Sequence, residues 1–322
     1  MTEDYFERFF TGDPLAASRL MSIIERGGAE AEKALDRLFP KVGRSYRIGI
    51  TGPTGSGKST LINGLILEYR RRGITVGVVA EDPTSPFSGG AILGDRIRMQ
   101  GGSGDEGVFI RSIASRGSET GLSACATELA DVLDAFGKDV ILLETIGVGQ
   151  LEYKIRLTAY TTVVVLTPDA GDEVQGLKSG IMEIGDIFVV NKADRPDSER
   201  FAQELASMLE LRRSEPGWKP PVLPVVATKG DGVMSLMETI QSHRAFLEEN
   251  GKLESKWVES LKNRITMATE EKLKENFWEN QYTKERLDSA FVDVKAGRKS
   301  PYAAARDLLS SIAIKKSVRR RK

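Results

Sequence analysis

The residues with the clearest capacity for chemistry lie in a glycine-rich stretch that ends in Lys58 and Ser59. The segment "GPTGSGKS", Gly52 to Ser59, matches the spacing G-x-x-x-x-G-K-[ST]. Its glycines let backbone N–H groups turn inward around the β- and γ-phosphates of a nucleotide. Lys58 can reach the phosphate oxygens, and the Ser59 hydroxyl can bind Mg²⁺. The predicted contact residues are Gly52, Pro53, Thr54, Gly55, Ser56, Gly57, Lys58, Ser59 and Thr60.

The chain on either side favours this interpretation over a glycine-rich turn that matches by coincidence. The strand-like run "RIGIT" precedes the motif, and the helical run "STLINGLILEYRRRG" follows it. The N-terminus of that helix adds a partial positive charge on the side that faces phosphate.

Carboxylates further along the chain can supply the additional oxygen ligands that Mg²⁺ requires. Glu144 ends the apolar run of "LLETIGVGQ", and Gly147 follows it. We predict Glu144 at the metal and the Gly147 N–H at the γ-phosphate, as in the Asp-x-x-Gly pattern of GTPases; the alternative is a charge that marks a strand end. Asp82 ends the second strand and Asp95 lies in a glycine-rich loop, and spacing alone fits a turn role equally well.

A second motif indicates which base is bound. "VVNKADR" places Asn191, Lys192 and Asp194 in the order N-K-x-D after an apolar strand. One carboxylate can accept both N1–H and N2–H₂ of guanine, whereas adenine offers no N1–H and would leave the charge poorly paired. In "VVATKGDGV", the residues Ala227, Thr228 and Lys229 are similar to a second guanine loop, so we predict that GTP is the ligand and GDP the product.

The group that positions the attacking water is left open by the sequence. Gln150 is one candidate, although its distance from Glu144 differs from that in small GTPases. Four arginines are candidate charge donors, and surface solvation is the commoner role for any one of them: Arg96, Arg98, Arg111 and Arg116.

Repeated strand and helix patterns position these motifs. Seven apolar or β-branched runs alternate with helical segments: "YRIGIT", "ITVGVVA", "GVFIRSI", "DVILLET", "TTVVVLT", "DIFVVN" and "VLPVVA". This order predicts an α/β fold of the P-loop NTPase type, with a mostly parallel sheet flanked by helices over 44–250. We expect a helical leader over 1–43, in which Leu15, Leu20, Ile23 and Ile24 share one face, and a helical arm over 251–322.

Composition excludes several other classes of protein. Lys plus Arg and Asp plus Glu number 46 each, so the balance of charge gives no case for nucleic acid as the main partner. Cys125 and His243 are single residues of their types, which excludes an internal disulfide and a Cys/His metal site. We expect no membrane span, a cytoplasmic location, and a solvated basic tail at "KKSVRRRK".

Taken together, these motifs make the sequence resemble the methylmalonyl-CoA mutase-associated GTPase family (MeaB/ArgK-like). The segments that carry the resemblance are "GPTGSGKSTLI", "DPTSPFSGGAILGDRIRM", "ETIGVGQLE", "TPDAGDEVQGLKSGI" and "NKAD". The resemblance is more specific than a phosphate-binding loop alone, and it extends more loosely into the C-terminal helices.

The resemblance implies a role for each matching residue. Lys58, Asp82, Asp95, Glu144 and Gly147 would be catalytic, and Ser59 with the three carboxylates would surround Mg²⁺. Pro168 to Lys178 would be a mobile loop that signals to the mutase, and the C-terminal arm would form a homodimer. The family implies a chaperone in which GTP hydrolysis gates adenosylcobalamin loading of an acyl-CoA mutase and protects or reactivates that enzyme.

Three other classes share parts of this pattern. A nickel- or cobalt-inserting GTPase has the same fold but commonly holds metal with Cys and His. A signal-recognition-type GTPase would carry a dedicated targeting domain, which the sequence does not indicate. A binding switch without hydrolysis would share every nucleotide motif, and measurement of phosphate release would distinguish it from an active GTPase.

Overall fold

A computed structural model of the chain describes residues 3–82, 105–114, 125–145, 153–170, 181–210 and 217–319. Asp95, Gly147, Gln150 and the part of the expected signalling loop from residue 171 onward lie outside these ranges, as do Arg96, Arg98 and Arg116.

The described strands form one seven-stranded sheet in which every named pair of neighbours is parallel. The sheet order is β3-β2-β4-β1-β5-β6-β7, so the chain crosses over from one side of β1 to the other. All seven predicted strands are confirmed: β1 (Tyr46–Thr51), β2 (Val76–Asp82), β3 (Val108–Ala114), β4 (Val140–Glu144), β5 (Thr161–Leu166), β6 (Ile187–Asn191) and β7 (Val222–Val225).

Helices connect and flank these strands. Those of the leader and the sheet region are α1 (Glu3–Phe10), α2 (Pro14–Arg26), α3 (Ala29–Leu38), α4 (Lys58–Arg71), α5 (Ala126–Ala135), α6 (Tyr153–Thr158), α7 (Ile181–Ile184), α8 (Ser198–Glu210) and α9 (Val233–Glu249). Three further helices follow toward the C-terminus: α10 (Lys252–Trp278), α11 (Gln281–Lys295) and α12 (Pro301–Arg319).

The central strands are apolar on both faces because the sheet is covered on both sides. In β4, Val140 and Leu142 belong to the core that includes α4 and α9. The alternating residues Ile141 and Leu143 belong to a second core, which includes the leader helices and α5. Since successive side chains of a strand point to opposite faces, the unbroken apolar run follows from this two-sided burial.

The apolar helix face predicted for the leader is only partly buried. Leu20 and Ile24 of α2 are buried and Ile23 is half-buried, but Leu15 is 67% exposed. Leu15 lies in the first turn of the helix, where the carboxylate of Asp13 accepts a hydrogen bond from its N–H at 2.8 Å. The Asp13 side chain therefore caps this turn, while Ala16 and Ala17 of the same turn are buried and Leu15 is not.

A buried carboxylate joins the leader to β1. Asp134 of α5 accepts hydrogen bonds from three successive backbone N–H groups, those of residues 43–45, at 2.8–3.1 Å. The Arg47 guanidinium lies 3.2 Å from Asp134 and 2.8 Å from Asp131, and all three side chains are 2% exposed or less. The leader, β1 and α5 therefore share one hydrogen-bonded ionic cluster.

The two edges of the sheet differ. At one edge, Arg111 of β3 contacts Glu25 at 2.6 Å and Ser22 at 2.9 Å, both in α2. This candidate charge donor is therefore engaged by the leader. At the other edge, β7 has four residues and includes Pro224, which pairs in register with Val190.

The chain divides into two compact units, Met1–Glu259 and Ser260–Lys322, and the boundary falls within α10. In the second unit, Thr283, Ala304 and Leu308 are buried. Several large apolar side chains of this unit are exposed: Ile265, Met267, Leu273, Trp278, Leu287, Phe291, Val292, Tyr302 and Leu309. The expected division at residues 43 and 250 remains a prediction from the sequence.

Within the described ranges, none of the helices combines the length and apolar character that crossing a bilayer requires.

The Arg47 cluster generates a prediction about stability. Arg47→Met should lower the free energy of unfolding by about 3 kcal/mol, because it removes a buried cation that two buried carboxylates contact. Urea denaturation followed by circular dichroism measures the change. Arg200→Met is the matched control, since its ion pair with Glu204 lies on an exposed helix face with the arginine 78% accessible. Equal midpoints for the two variants would contradict a stabilising role of the cluster.

Candidate nucleotide-binding site

The phosphate-binding loop connects β1 to α4 and needs glycine at two crowded positions. Gly52 has φ +138°, and a Cβ there would lie 2.0 Å from the carbonyl oxygen of Val165. Gly57 has φ +90°, and a Cβ there would lie 2.2 Å from Nδ2 of Asn191. Side chains would strain the backbone and collide with β5 or β6, so the motif glycines keep the loop close to the sheet.

Lys58 begins α4, and its side chain lies across the loop. Its Nζ donates to the carbonyl oxygens of Gly52 at 2.8 Å and Pro53 at 3.1 Å, and the residue is 7% exposed. This places an ammonium group against the loop that is predicted to surround phosphate. Phosphate oxygens would offer it charged acceptors, which form stronger hydrogen bonds than neutral carbonyls.

Ser59 and Glu144 are far apart in sequence, and the fold brings them together. The Ser59 hydroxyl donates to Oε1 of Glu144 at 2.7 Å, and Glu144 is buried at the end of β4. A hydroxyl and a carboxylate oxygen are the donor types that Mg²⁺ prefers. Ser59 is the second residue of α4, directly after the loop, so these two residues fit the predicted metal ion.

Asp82 ends β2, the strand next to β4. The register pairs Ala80 with Glu144, so Asp82 lies two residues further along the neighbouring strand. Its backbone is therefore at the carboxyl edge of the sheet, beside the end of β4. This edge is where parallel α/β sheets bind ligands.

Asn191 connects the phosphate loop to the two predicted guanine loops. Its Nδ2 donates to the Ser56 carbonyl oxygen at 2.7 Å, and its Oδ1 accepts from the Ala227 N–H at 3.1 Å. The residue is 3% exposed and ends β6. Asn191 therefore ties the loop after β6 to the phosphate-binding loop and to the segment that begins at Ala227.

The predicted base-reading carboxylate lies on the accessible side of this assembly. Lys192 has φ +58°, which turns the chain directly after β6. The carboxylate of Asp194 lies 3.3 Å from Nζ of Lys229, and both side chains are partly exposed. The fold thus brings together the two predicted guanine motifs.

Sequence reasoning missed several contacts that surround the site. Arg195, next to Asp194, forms an ion pair with Asp169 just after β5. The hydroxyls of Thr51 and Thr145 lie 2.9 Å apart. Each of these residues lies in or next to a recognised motif, and that proximity is the signal that could have identified them. Which of them pair could not be predicted, because the pairing depends on the order of the strands in the sheet.

The geometry supports a prediction about base specificity. In Asp194→Asn, an NH₂ group replaces one acceptor oxygen and faces the guanine N2–H₂, so that hydrogen bond is lost. We expect at least about tenfold weaker GTP binding and a preference for XTP, whose C2 oxygen accepts the new donor. Competition of GTP, XTP and ATP with a fluorescent nucleotide for the site measures the affinity for GTP and the preference for XTP. A variant that keeps its preference for GTP, or a wild type that prefers ATP, would contradict guanine recognition by this residue.

The chain is similar to known proteins over most of its length. The family model described as methylmalonyl Co-A mutase-associated GTPase MeaB matches residues 17–282. A putative GTPase of Pyrococcus horikoshii is 50% identical over 257 residues, which cover 79% of this chain and 81% of the relative. GTPase ArgK of Escherichia coli is 31% identical over 309 residues, covering 94% and 93%.

A solved structure extends the similarity to the fold. The crystal structure of LAO/AO transport system kinase aligns with a TM-score of 0.73 and 25% identity, and it covers 97% of this chain and 99% of that one. The parallel sheet, the phosphate-binding loop and the N-K-x-D segment at the end of β6 agree with these matches. The chain belongs to the methylmalonyl-CoA mutase-associated GTPase family, MeaB, and is a P-loop GTPase.

Proposed function

We propose that this GTPase hydrolyses GTP with Mg²⁺ and uses the reaction to control adenosylcobalamin loading of an acyl-CoA mutase of the methylmalonyl-CoA type. In this role it protects or reactivates the mutase. The match of residues 17–282 to a family described as mutase-associated carries the proposal. We expect this to take place in the cytoplasm, as predicted from the sequence.

The proposal gives each site residue a role. Lys58 neutralises charge on the β- and γ-phosphates, and the loop amides orient them. Ser59 and Glu144 hold Mg²⁺, which supplies charge neutralisation to the phosphates when it is bound. Asp82, at the adjacent strand end, and Asp95 complete the acidic surroundings. Phosphoryl transfer to water needs positioning and electrostatic stabilisation more than covalent chemistry, and this set of groups suits it.

Base recognition uses the loops that Asn191 connects. Asp194 accepts the two guanine donors, Lys192 lies along the base plane, and the loop of Ala227, Thr228 and Lys229 meets the base O6. The short distance between Asp194 and Lys229 supports their action in one subsite.

At the phosphate end of the nucleotide, the backbone N–H of Gly147 is proposed to contact the γ-phosphate.

The segment from Pro168 to Lys178 is proposed as the contact with the mutase. Its first residues form a short 3₁₀ turn, Pro168–Ala170, immediately after β5. Asp169 in this turn pairs with Arg195, the neighbour of the base-reading Asp194. This ion pair gives the segment a direct connection to the nucleotide loops.

Mixing the full-length protein with an adenosylcobalamin-dependent methylmalonyl-CoA mutase tests the partner. Phosphate release should rise at least about tenfold, because a partner that orders catalytic groups commonly accelerates GTPases far more than this. An acyl-CoA enzyme that lacks cobalamin is the control. An unchanged rate together with separate elution from a sizing column would contradict the partner, while basal GTP hydrolysis would still establish the enzyme.

The second compact unit is proposed to form a homodimer. Its exposed apolar side chains, which include Ile265 at 67% and Leu273 at 61%, are of the kind that subunit interfaces cover. Both lie on α10.

The double variant Ile265→Glu/Leu273→Glu should be a monomer by light scattering, because charges would be desolvated at the interface. It should bind GDP as the wild type does. Met208→Glu, at a 38% exposed position of α8, is the control and should leave the dimer intact. A double variant that remains dimeric would place the interface elsewhere.

The alternative of a nickel- or cobalt-inserting GTPase fits the structure less well. His243 is completely buried, its Nδ1 lies 2.8 Å from the Thr161 hydroxyl, and its ring packs against Trp218. Its contacts are therefore those of a core residue.

A further inference from the structure

Two buried hydroxyls connect the ends of neighbouring strands at the nucleotide edge. Thr51 is the last residue of β1, and Thr145 directly follows β4. Their Oγ1 atoms are 2.9 Å apart, and the residues are 0% and 1% exposed. The backbone N–H of Thr145 also donates to the Ile50 carbonyl oxygen at 3.2 Å, which extends the β1–β4 pairing by one residue.

The sequence positions of the two threonines give this contact its importance. Thr51 immediately precedes Gly52, where the phosphate-binding loop begins. Thr145 immediately follows Glu144, and the segment that it begins contains Gly147, the proposed contact of the γ-phosphate. The hydroxyl pair therefore joins the residue before the phosphate-binding loop to the residue after Glu144, a proposed ligand of Mg²⁺.

A second side-chain hydrogen bond, from Ser59 to Glu144, spans the same two regions. Both of its members would bind Mg²⁺ in the proposed site, so the contact between them would differ with the metal bound. Neither threonine is a proposed ligand of the metal or the nucleotide. The Thr51–Thr145 contact can therefore stay the same with and without bound nucleotide.

We propose that Thr51 and Thr145 are positioning residues for GTP hydrolysis: their buried hydroxyl pair keeps the end of β4, which carries Glu144, aligned with the phosphate-binding loop. In-line transfer is sensitive to displacements of about 1 Å, which can cost about a hundredfold in rate. A hydrogen bond in a water-excluded position resists such displacement, because neither hydroxyl has water as a substitute partner.

This role predicts that loss of the hydroxyl pair weakens the binding of GTP more than the binding of GDP. The amides of the phosphate-binding loop and the guanine loops hold GDP without help from the segment after β4. The third phosphate must also meet that segment, an assignment that rests on the proposed placement of the nucleotide. Loss of the pair should therefore lower the rate of hydrolysis and the affinity for a GTP analogue, while the affinity for GDP changes little.

The test uses the full-length variants Thr51→Val, Thr145→Val and the double variant, because valine keeps the branched shape and removes the hydroxyl. Each should hydrolyse GTP about tenfold more slowly and bind a non-hydrolysable GTP analogue several-fold more weakly, with GDP affinity within threefold of wild type. The double variant should resemble either single variant, because each substitution breaks the same hydrogen bond. Thr145→Ser, which keeps a hydroxyl, should retain most of the activity.

Tyr46→Phe is the matched control. Tyr46 is the first residue of β1, and its hydroxyl lies 2.6 Å from that of Thr161, so this variant breaks a buried hydroxyl pair at the opposite end of the same strand. It should leave kcat unchanged even if it lowers the melting temperature.

Three results would overturn the proposal. The first is a kcat within twofold of wild type in the folded valine variants. The second is a rate loss in the double variant that equals the product of the two single losses, and the third is an equal loss of affinity for GDP and for the GTP analogue. If both single valine variants fail to fold while Thr145→Ser and Tyr46→Phe fold normally, the pair is a folding element and the positioning role is wrong. If the wild-type protein does not bind GDP, the assignment of the nucleotide site itself is wrong.

Discussion

The side-chain amide of Asn191 is the contact on which the organisation of the nucleotide site depends. One planar group donates to the phosphate-binding loop at Ser56 and accepts from the second guanine loop at Ala227. A carboxylate has no donor and a lysine has no acceptor, so neither could make both contacts. Gly57 must lack a side chain for the amide to approach. The recognition of phosphate and the recognition of base are therefore parts of a single hydrogen-bonded structure.

Charged groups near the amino ends and near the carboxyl ends of the strands have different surroundings. Near the amino ends of the strands, Arg47 and Asp134 are buried, and the carboxylate is saturated by an arginine and three backbone donors. Near the carboxyl ends, Asp194 and Lys229 remain partly exposed. Burial with full pairing suits the Arg47 cluster, which stabilises the fold, whereas access to solvent suits Asp194, which is proposed to meet the base. The guanine loops can therefore change their contacts without loss of the core.

The strands could be predicted from the sequence because each one is marked by a short run of neighbouring residues. Strands buried on both faces appear as short apolar runs, and the phosphate and guanine motifs mark where two of them end. The contacts of Asp134 with residues 43–45 span about ninety positions, and no periodicity reports such a pairing. The exposure of Leu15 was missed for a related reason, since spacing shows which residues share a helix face but not how far that face is covered.

The short edge strand β7 also limits how other proteins can associate with this one. Pro224 pairs in register with Val190, so its missing N–H falls on a position of an edge strand where a further strand would need a donor. With four residues and one donor absent, β7 is a poor template for strand addition. Association by extension of the sheet is disfavoured at this edge, and partners that approach there would have to be recognised through helices and loops.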